Sequence, residues 1–292
     1  MENIFGNLQY LFRNGNILTK FIYINVGAFI VIRLAAVLFI LFNVQPVSFL
    51  HYLQMPSSPL QLLYSPWTII TYMFTHYDFL HILFNMLWLY WFGKIFLQFF
   101  TLRQLGGVYI LGGIAGAALF MLAYNVFPYF RAVASSSALI GASASVMAIV
   151  FAVSFYRKDY EIGLLFIGRI KLIYLALGTI VLDFLAIAST NAGGHIAHLG
   201  GAFLGIWFAS GIKAGKDLTA PMNRLIDKIV NTGKRKPKMR VSYKRAETDY
   251  DYNARKHKEG MELDAILDKL KHSGYESLSS EEKKRLFDAS KK

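Results

Sequence analysis

Ala138-Leu-Ile-Gly141-Ala142-Ser143-Ala144-Ser145-Val-Met-Ala-Ile-Val-Phe-Ala-Val-Ser-Phe-Tyr156 carries no charge and no polar side chain other than serine hydroxyls and the terminal tyrosine. Crossing the hydrocarbon core takes about 20 mainly apolar residues in a helix. Five other runs qualify with it: Phe21–Phe42, Phe79–Phe99, Leu105–Val126, Leu172–Ser189 and Ala192–Ile212. The reading is an all-α membrane protein with six transmembrane helices. Ser143 and Ser145 would then lie at membrane depth on the fourth of them.

Composition divides the 292 residues in the same way. The chain is 55% hydrophobic against about 45–50% for a soluble protein, and the excess lies in the first 215 residues or so. Residues 1–20 read as a cytoplasmic amphipathic lead-in, because they lack the basic start, short apolar core and small-residue cleavage site of a signal peptide. Residues 21–212 form the membrane domain. Residues 213–259, with Lys234-Arg235-Lys236-Pro237-Lys238, Arg240, Lys244 and Arg245, read as a basic flexible linker. Residues 260–292 form a small helical module. There Met261, Leu263, Ile266, Leu267 and Leu270 recur at helical spacing, Gly274 is a stop, and Ser279-Ser280-Glu281-Glu282 is a capping-box start. Too short to bury a large core, this module is a soluble helical hairpin.

Net charge is +13, concentrated in the tail. Beside a membrane domain, such a basic stretch is drawn to anionic lipid headgroups, and no nucleic-acid partner is expected. The chain has no cysteine, so neither disulfides nor thiolate metal sites hold the fold together.

Basic loops mark the cytoplasmic side. Arg13 and Lys20 precede the first run, Lys94 and Arg103 flank the second turn, and Arg157, Lys158, Arg169 and Lys171 lie between the fourth and fifth. On the other side, the long loop from Asn43 to Asp78 has no lysine or arginine. Both termini are therefore expected in the cytoplasm. That outer loop is apolar but broken by Pro46, Pro56, Pro59 and Pro66, which suits a segment lying in the membrane interface.

A polar group inside a membrane is costly and needs a partner or a role. On the sixth run, about 100° per residue places Gly194, His198, Gly201 and Gly205 within an arc of about 60°. Glycines so spaced admit a neighbouring helix, so His198 faces one. His195 lies about 60° off that face. Ser143 and Ser145 are about 200° apart, so only one faces inward, and the spacing alone does not say which. Otherwise a serine there is a small packing residue that bonds its own backbone. His81 and Asn85, at i and i+4 on the second run, share a face and suit either an oxyanion site or a tie between helices. No His-x-x-x-His pair occurs and no nearby carboxylate completes a ligand set, so no metal is expected. No internal repeat of the kind found in transporters is present.

Three motifs together resemble the rhomboid intramembrane serine proteases: His76 with His81-x-x-x-Asn85, Gly141-x-Ser143, and Ala197-His198-x-x-Gly201-x-x-x-Gly205. They fall in this order on the second, fourth and sixth runs. The resemblance spans roughly residues 60–212. It implies a six-helix rhomboid-like bundle in which Ser143 is the nucleophile and His198 the general base, a dyad without an acidic third member. His81, Asn85 and the Ser143 amide would form the oxyanion hole, and Gly141, Gly201 and Gly205 would pack helices near the site.

Tyr109, Gly112, Gly113 and Gly116 look like the family's positions of close helix packing. The implied activity is a serine endopeptidase, needing no cofactor, that cleaves transmembrane protein substrates in a bacterial plasma membrane. The alternative is an inactive relative that only binds transmembrane helices. Two departures stand out. Ala144 replaces the usual glycine after the serine, and Trp67 is followed by Thr68 where the family has a Trp-Arg pair. Arg33 and Asp183 match no motif and are read as structural.

Overall fold

The structure, a computed structural model, describes residues 12, 14–43, 45, 47–164, 168–231 and 248–290. By contacts the chain divides into two units, residues 1–233 and 234–292.

In the first unit all six apolar runs are helical: α1 (Ile17–Leu41), α2 (Phe79–Phe96), α3 (Leu102–Val126), α4 (Ser143–Tyr156), α5 (Leu172–Leu185) and α6 (Ala192–Lys213). Four of these, α1, α2, α3 and α6, are long and apolar enough to cross a membrane. With 14 residues each, α4 and α5 extend only about 21 Å, although a 3-10 turn at Ala186–Ala188 prolongs α5. α1 starts at Ile17, where Asn16 accepts the Thr19 amide at 3.0 Å. It turns Ile30, Val31, Leu34 and Leu38 away from the protein, as a lipid-facing helix does.

α4 is the centre of the unit, touching α2, α3, α5 and α6. Every residue from Ala144 to Ser154 is buried, which explains why the run is apolar all round rather than on one stripe. Between helices in lipid there is no apolar transfer term to gain, so association relies on close van der Waals packing. Small residues supply it here. A Cβ on Gly201 would fall on the Ala144 carbonyl, one on Gly205 on the Ala148 carbonyl, and one on Gly200 would stand 2.6 Å from the Ala115 carbonyl. α6 is therefore wedged backbone-to-backbone between α3 and α4.

The helix expected from Ala138 begins only at Ser143. Ala138 and Leu139 instead form strand β2, paired antiparallel with β1 (Met55–Pro56) in the register Met55↔Leu139, Pro56↔Ala138. Gly141 then takes φ +107°, which ends the extended segment and admits no easy side chain. The loop between α1 and α2 is thereby tied to the residues just before Ser143. It is further folded into short helical turns at Val47–Leu50, Pro59–Tyr64 and Thr68–Thr71, and Trp67 Nε1 donates to the Tyr52 carbonyl at 2.8 Å.

Between α4 and α5 the basic loop is a hairpin, β3 (Glu161–Leu164) with β4 (Gly168–Lys171), a pairing that its charges do not announce. Two helices also occupy the stretch expected to be linker. α7 (Ala220–Asn231) has Met222, Leu225 and Ile226 at helical spacing and lies against α3, where Arg103 pairs with Asp227 at 2.9 Å. The lysine and arginine run from 234 to 245 lies outside the described residues.

In the second unit, α8 (Asp249–Ser273) starts well before the first apolar position of the expected helix. Its first turns are held by polar capping, with Thr248 accepting the Asp251 amide and Asp249 and Asp251 at the positive helix end. Gly274 closes the helix at φ +76°. α9 (Ser280–Ala289) opens with a complete capping box between Ser279 and Glu282. Ile266 and Leu278 are buried, Lys269 pairs with Glu282 at 3.0 Å, and Arg285 pairs with Glu262. The Ser279 backbone amide, followed by Lys269, holds the Glu282 carboxyl below its ordinary range.

Candidate active site

A cavity of about 650 Å³ lies among α2, α4, α5 and α6. Its wall brings together His81 and Asn85 of α2, Ser143 of α4, Asp183 of α5 and His198 of α6, with Phe84 and Trp88 as aromatic lining. The short α4 is what sets the depth of the serine. Because the chain enters α4 from an extended segment, Ser143 occupies its first turn, where Ala142 provides no side-chain cap. The first amides of the helix thus have no side-chain cap and stand at the positive end of the helix dipole.

Of the two serines, Ser143 reaches the cavity. Ser145 is 1% exposed and its hydroxyl has no hydrogen-bond partner in the protein. Ala144 points elsewhere again. Its methyl is buried, and a Cβ on Gly116 of α3 would stand 2.5 Å from it and 2.9 Å from the Ala197 carbonyl. The extra methyl at this position is taken up between α3 and α6 and does not line the cavity. Ala144→Gly should therefore lower stability by about 1–2 kcal/mol, from the lost packing and the poorer helix propensity, without widening the cavity. The thermal midpoint in detergent would check this; an unchanged midpoint would mean that the methyl is not packed between α3 and α6.

His81 sits against the turn before Ser143. A Cβ on Gly141 would lie 2.6 Å from His81 Cε1 and 2.7 Å from Nε2, so Gly141 both makes the turn and lets this segment approach an α2 imidazole. Asp78 caps α2 by accepting the His81 amide at 2.9 Å, and the Asn85 carboxamide donates to the His81 carbonyl at 2.9 Å. One carboxamide N–H is left for the cavity. Beneath them His76 is fully buried, and its Nε2 accepts the Ala142 amide at 3.2 Å. That bond fixes the residue preceding the serine, a role the motif alone does not reveal.

The expectation that no nearby carboxylate completes a ligand set with the histidines fails. Asp183 Oδ1 lies 2.9 Å from His198 Nδ1 and 2.8 Å from His195 Nδ1. Its signal in the sequence was a lone charge on an apolar run. The short link between the fifth and sixth runs also makes them antiparallel neighbours, which brings residues shortly before and shortly after the turn to one depth. Arg33 does not share the carboxylate. Its guanidinium lies 4.8 Å over the Tyr77 ring and 3.5 Å from that residue's carbonyl.

Asp183, His195 and His198 also offer three metal-ligand atoms within 4.8 Å of one another. Ligands about 2.0–2.1 Å from a tetrahedral zinc stand about 3.3 Å apart. The separations of 2.8 and 2.9 Å are those of charge-assisted hydrogen bonds.

A family model described as "Rhomboid domain" matches residues 64–214, just over half of the chain. A second, described as "Family of unknown function (DUF6576)", matches residues 246–292. No curated protein matches the chain.

Proposed function

Since the chain belongs to the rhomboid family and is a multi-pass membrane protein, we propose that it is an intramembrane serine endopeptidase that hydrolyses peptide bonds in or beside the transmembrane helices of other membrane proteins. The observation that carries this reading is the meeting of Ser143, His198, His81 and Asn85, from three separate helices, on one cavity wall.

The chemistry follows from the groups present. Ser143 Oγ attacks the scissile carbonyl carbon while its proton passes to His198 Nε2. The carbonyl π pair moves onto oxygen, and the oxyanion is held by His81, by the free N–H of Asn85 and by the Ser143 amide at the α4 terminus. As the tetrahedral species collapses, the C–N bond breaks and His198 returns the proton to the leaving amine. Water then adds to the acyl-serine, giving a proton to His198. Collapse of this second adduct frees the carboxylate product, and the proton goes back to Ser143 Oγ. A helical substrate carbonyl is engaged by its own N–H four residues on, so the substrate must unwind locally. Small, helix-weakening residues near the cleaved bond fit that need. In this reading a substrate helix is unwound beside α2 and α5, whose residues line the cavity. In this reading the chain crosses a bacterial plasma membrane six times, with both termini cytoplasmic.

A fluorophosphonate probe tests the assignment on the full chain in detergent. Adduct on the Ser143 peptide by mass spectrometry, absent from His198→Ala, is the expected result. Adduct on Ser145, or none on a chain that still binds transmembrane peptides, would replace this reading with another serine or with a non-catalytic helix binder.

A further inference from the structure

A carboxylate that is 7% exposed within an apolar helix stands in a low dielectric and needs donors. Asp183 has two, both ring nitrogens of α6, and both are Nδ1. We propose that Asp183 is a positioning residue that holds His198 in the tautomer bearing its proton on Nδ1, so that Nε2 faces Ser143 with a free lone pair, and that His195 steadies Asp183 as its second donor. The inference rests on the reading of Ser143 and His198 as nucleophile and base.

The argument is one of hydrogen-bond capacity. A neutral imidazole carries one N–H, and which nitrogen holds it is set by the group that the other faces. An ionised carboxylate only accepts, so Nδ1 at 2.9 Å from Oδ1 must be the protonated nitrogen. Nε2 is then the acceptor. The opposite tautomer would present an N–H to the serine hydroxyl and could not take its proton. Once His198 has taken that proton, the imidazolium stands beside a carboxylate fixed in place, which favours it in the transition state more than in the ground state. His195 is needed because the single Oδ1 is shared: with donors from two rings one turn apart, the carboxylate is fixed in position along α6. This makes a triad of Ser143, His198 and Asp183 out of what the motifs alone imply to be a dyad.

The test uses the full chain reconstituted in lipid with imidazole-15N histidine, His198 being assigned by its loss in His198→Gln. In the wild type, the His198 signals should show a protonated Nδ1 and an unprotonated Nε2. Asp183→Asn should move the proton toward Nε2 and lower kcat by about 10²–10⁴-fold, with KM changed by less than about threefold, since the isosteric amide keeps the shape of the cavity wall. Asp183→Glu should recover part of kcat, and loss of His195 should cost less than Asp183→Asn. An unprotonated Nδ1 in the wild type, or wild-type kcat in a folded Asp183→Asn, overturns the proposal. If Asp183→Asn does not fold, the wild-type spectrum alone decides. If the wild type cleaves no faster than Ser143→Ala, it is the protease reading that falls, and the spectrum still judges the role of Asp183.

Discussion

Ser143→Ala, in proteoliposomes containing a model transmembrane substrate, is expected to remove cleavage down to the background of empty vesicles. In serine proteases, losing the nucleophile lowers kcat by about 10⁶-fold, and the remainder comes from the oxyanion hole and binding. The proposed oxyanion donors lie on α2 and on the α4 backbone, so they survive the substitution. The folded state should survive too, because Ser143 is only partly buried and makes no side-chain bond that the helix depends on. Ser145→Ala is the contrasting variant. It removes a buried hydroxyl that has no partner in the protein, which is neutral or slightly stabilising, and cleavage should continue. The reverse pattern, with Ser145→Ala inactive and Ser143→Ala active, would sink the assignment.

Gly201→Ala should cost about 3 kcal/mol or more in stability and take activity with it. The obstacle to the new methyl is the Ala144 backbone carbonyl, with the Ala144 Cα 3.1 Å away. A flexible side chain could move aside, whereas the backbone of a central helix cannot. α6 must then withdraw from α4, loosening the Gly205 contact and separating His198 from Ser143. Gly27→Ala in α1 is the matched control, since a Cβ there meets nothing within 4 Å and alanine improves helix propensity by about 1 kcal/mol. Thermal midpoints in detergent would separate the two. Equal midpoints for Gly201→Ala and Gly27→Ala would mean that α6 and α4 are not packed backbone-to-backbone.

Much of the site was legible because membrane burial makes polar residues conspicuous. His81, Asn85, Ser143 and His198 stood out as costs needing a purpose, and helical angles put His198 on the glycine face of α6. The angles could not choose between Ser143 and Ser145. That choice required the place where α4 begins, which depends on a two-residue pairing with a loop more than 80 positions earlier. Hydropathy carries no trace of such a pairing, so the run read as helix from Ala138. The helix Ala220–Asn231 was read as linker for the opposite reason: the spacing of Met222, Leu225 and Ile226 was there, but charge dominated the window.

The sequence by itself determined the all-α membrane character, the positions of the six apolar helices, the glycine stripe of α6 and the set of polar groups at depth, because each is a local property of composition and period. Only the tertiary structure decided which serine reaches the cavity, where the Ala144 methyl goes and which partner Asp183 takes. Those depend on atoms a few ångströms apart in space and tens of residues apart in the chain. The Asp183 carboxylate is the clearest instance: on its own helix it is an unexplained charge, and beside α6 it is the acceptor for two imidazoles.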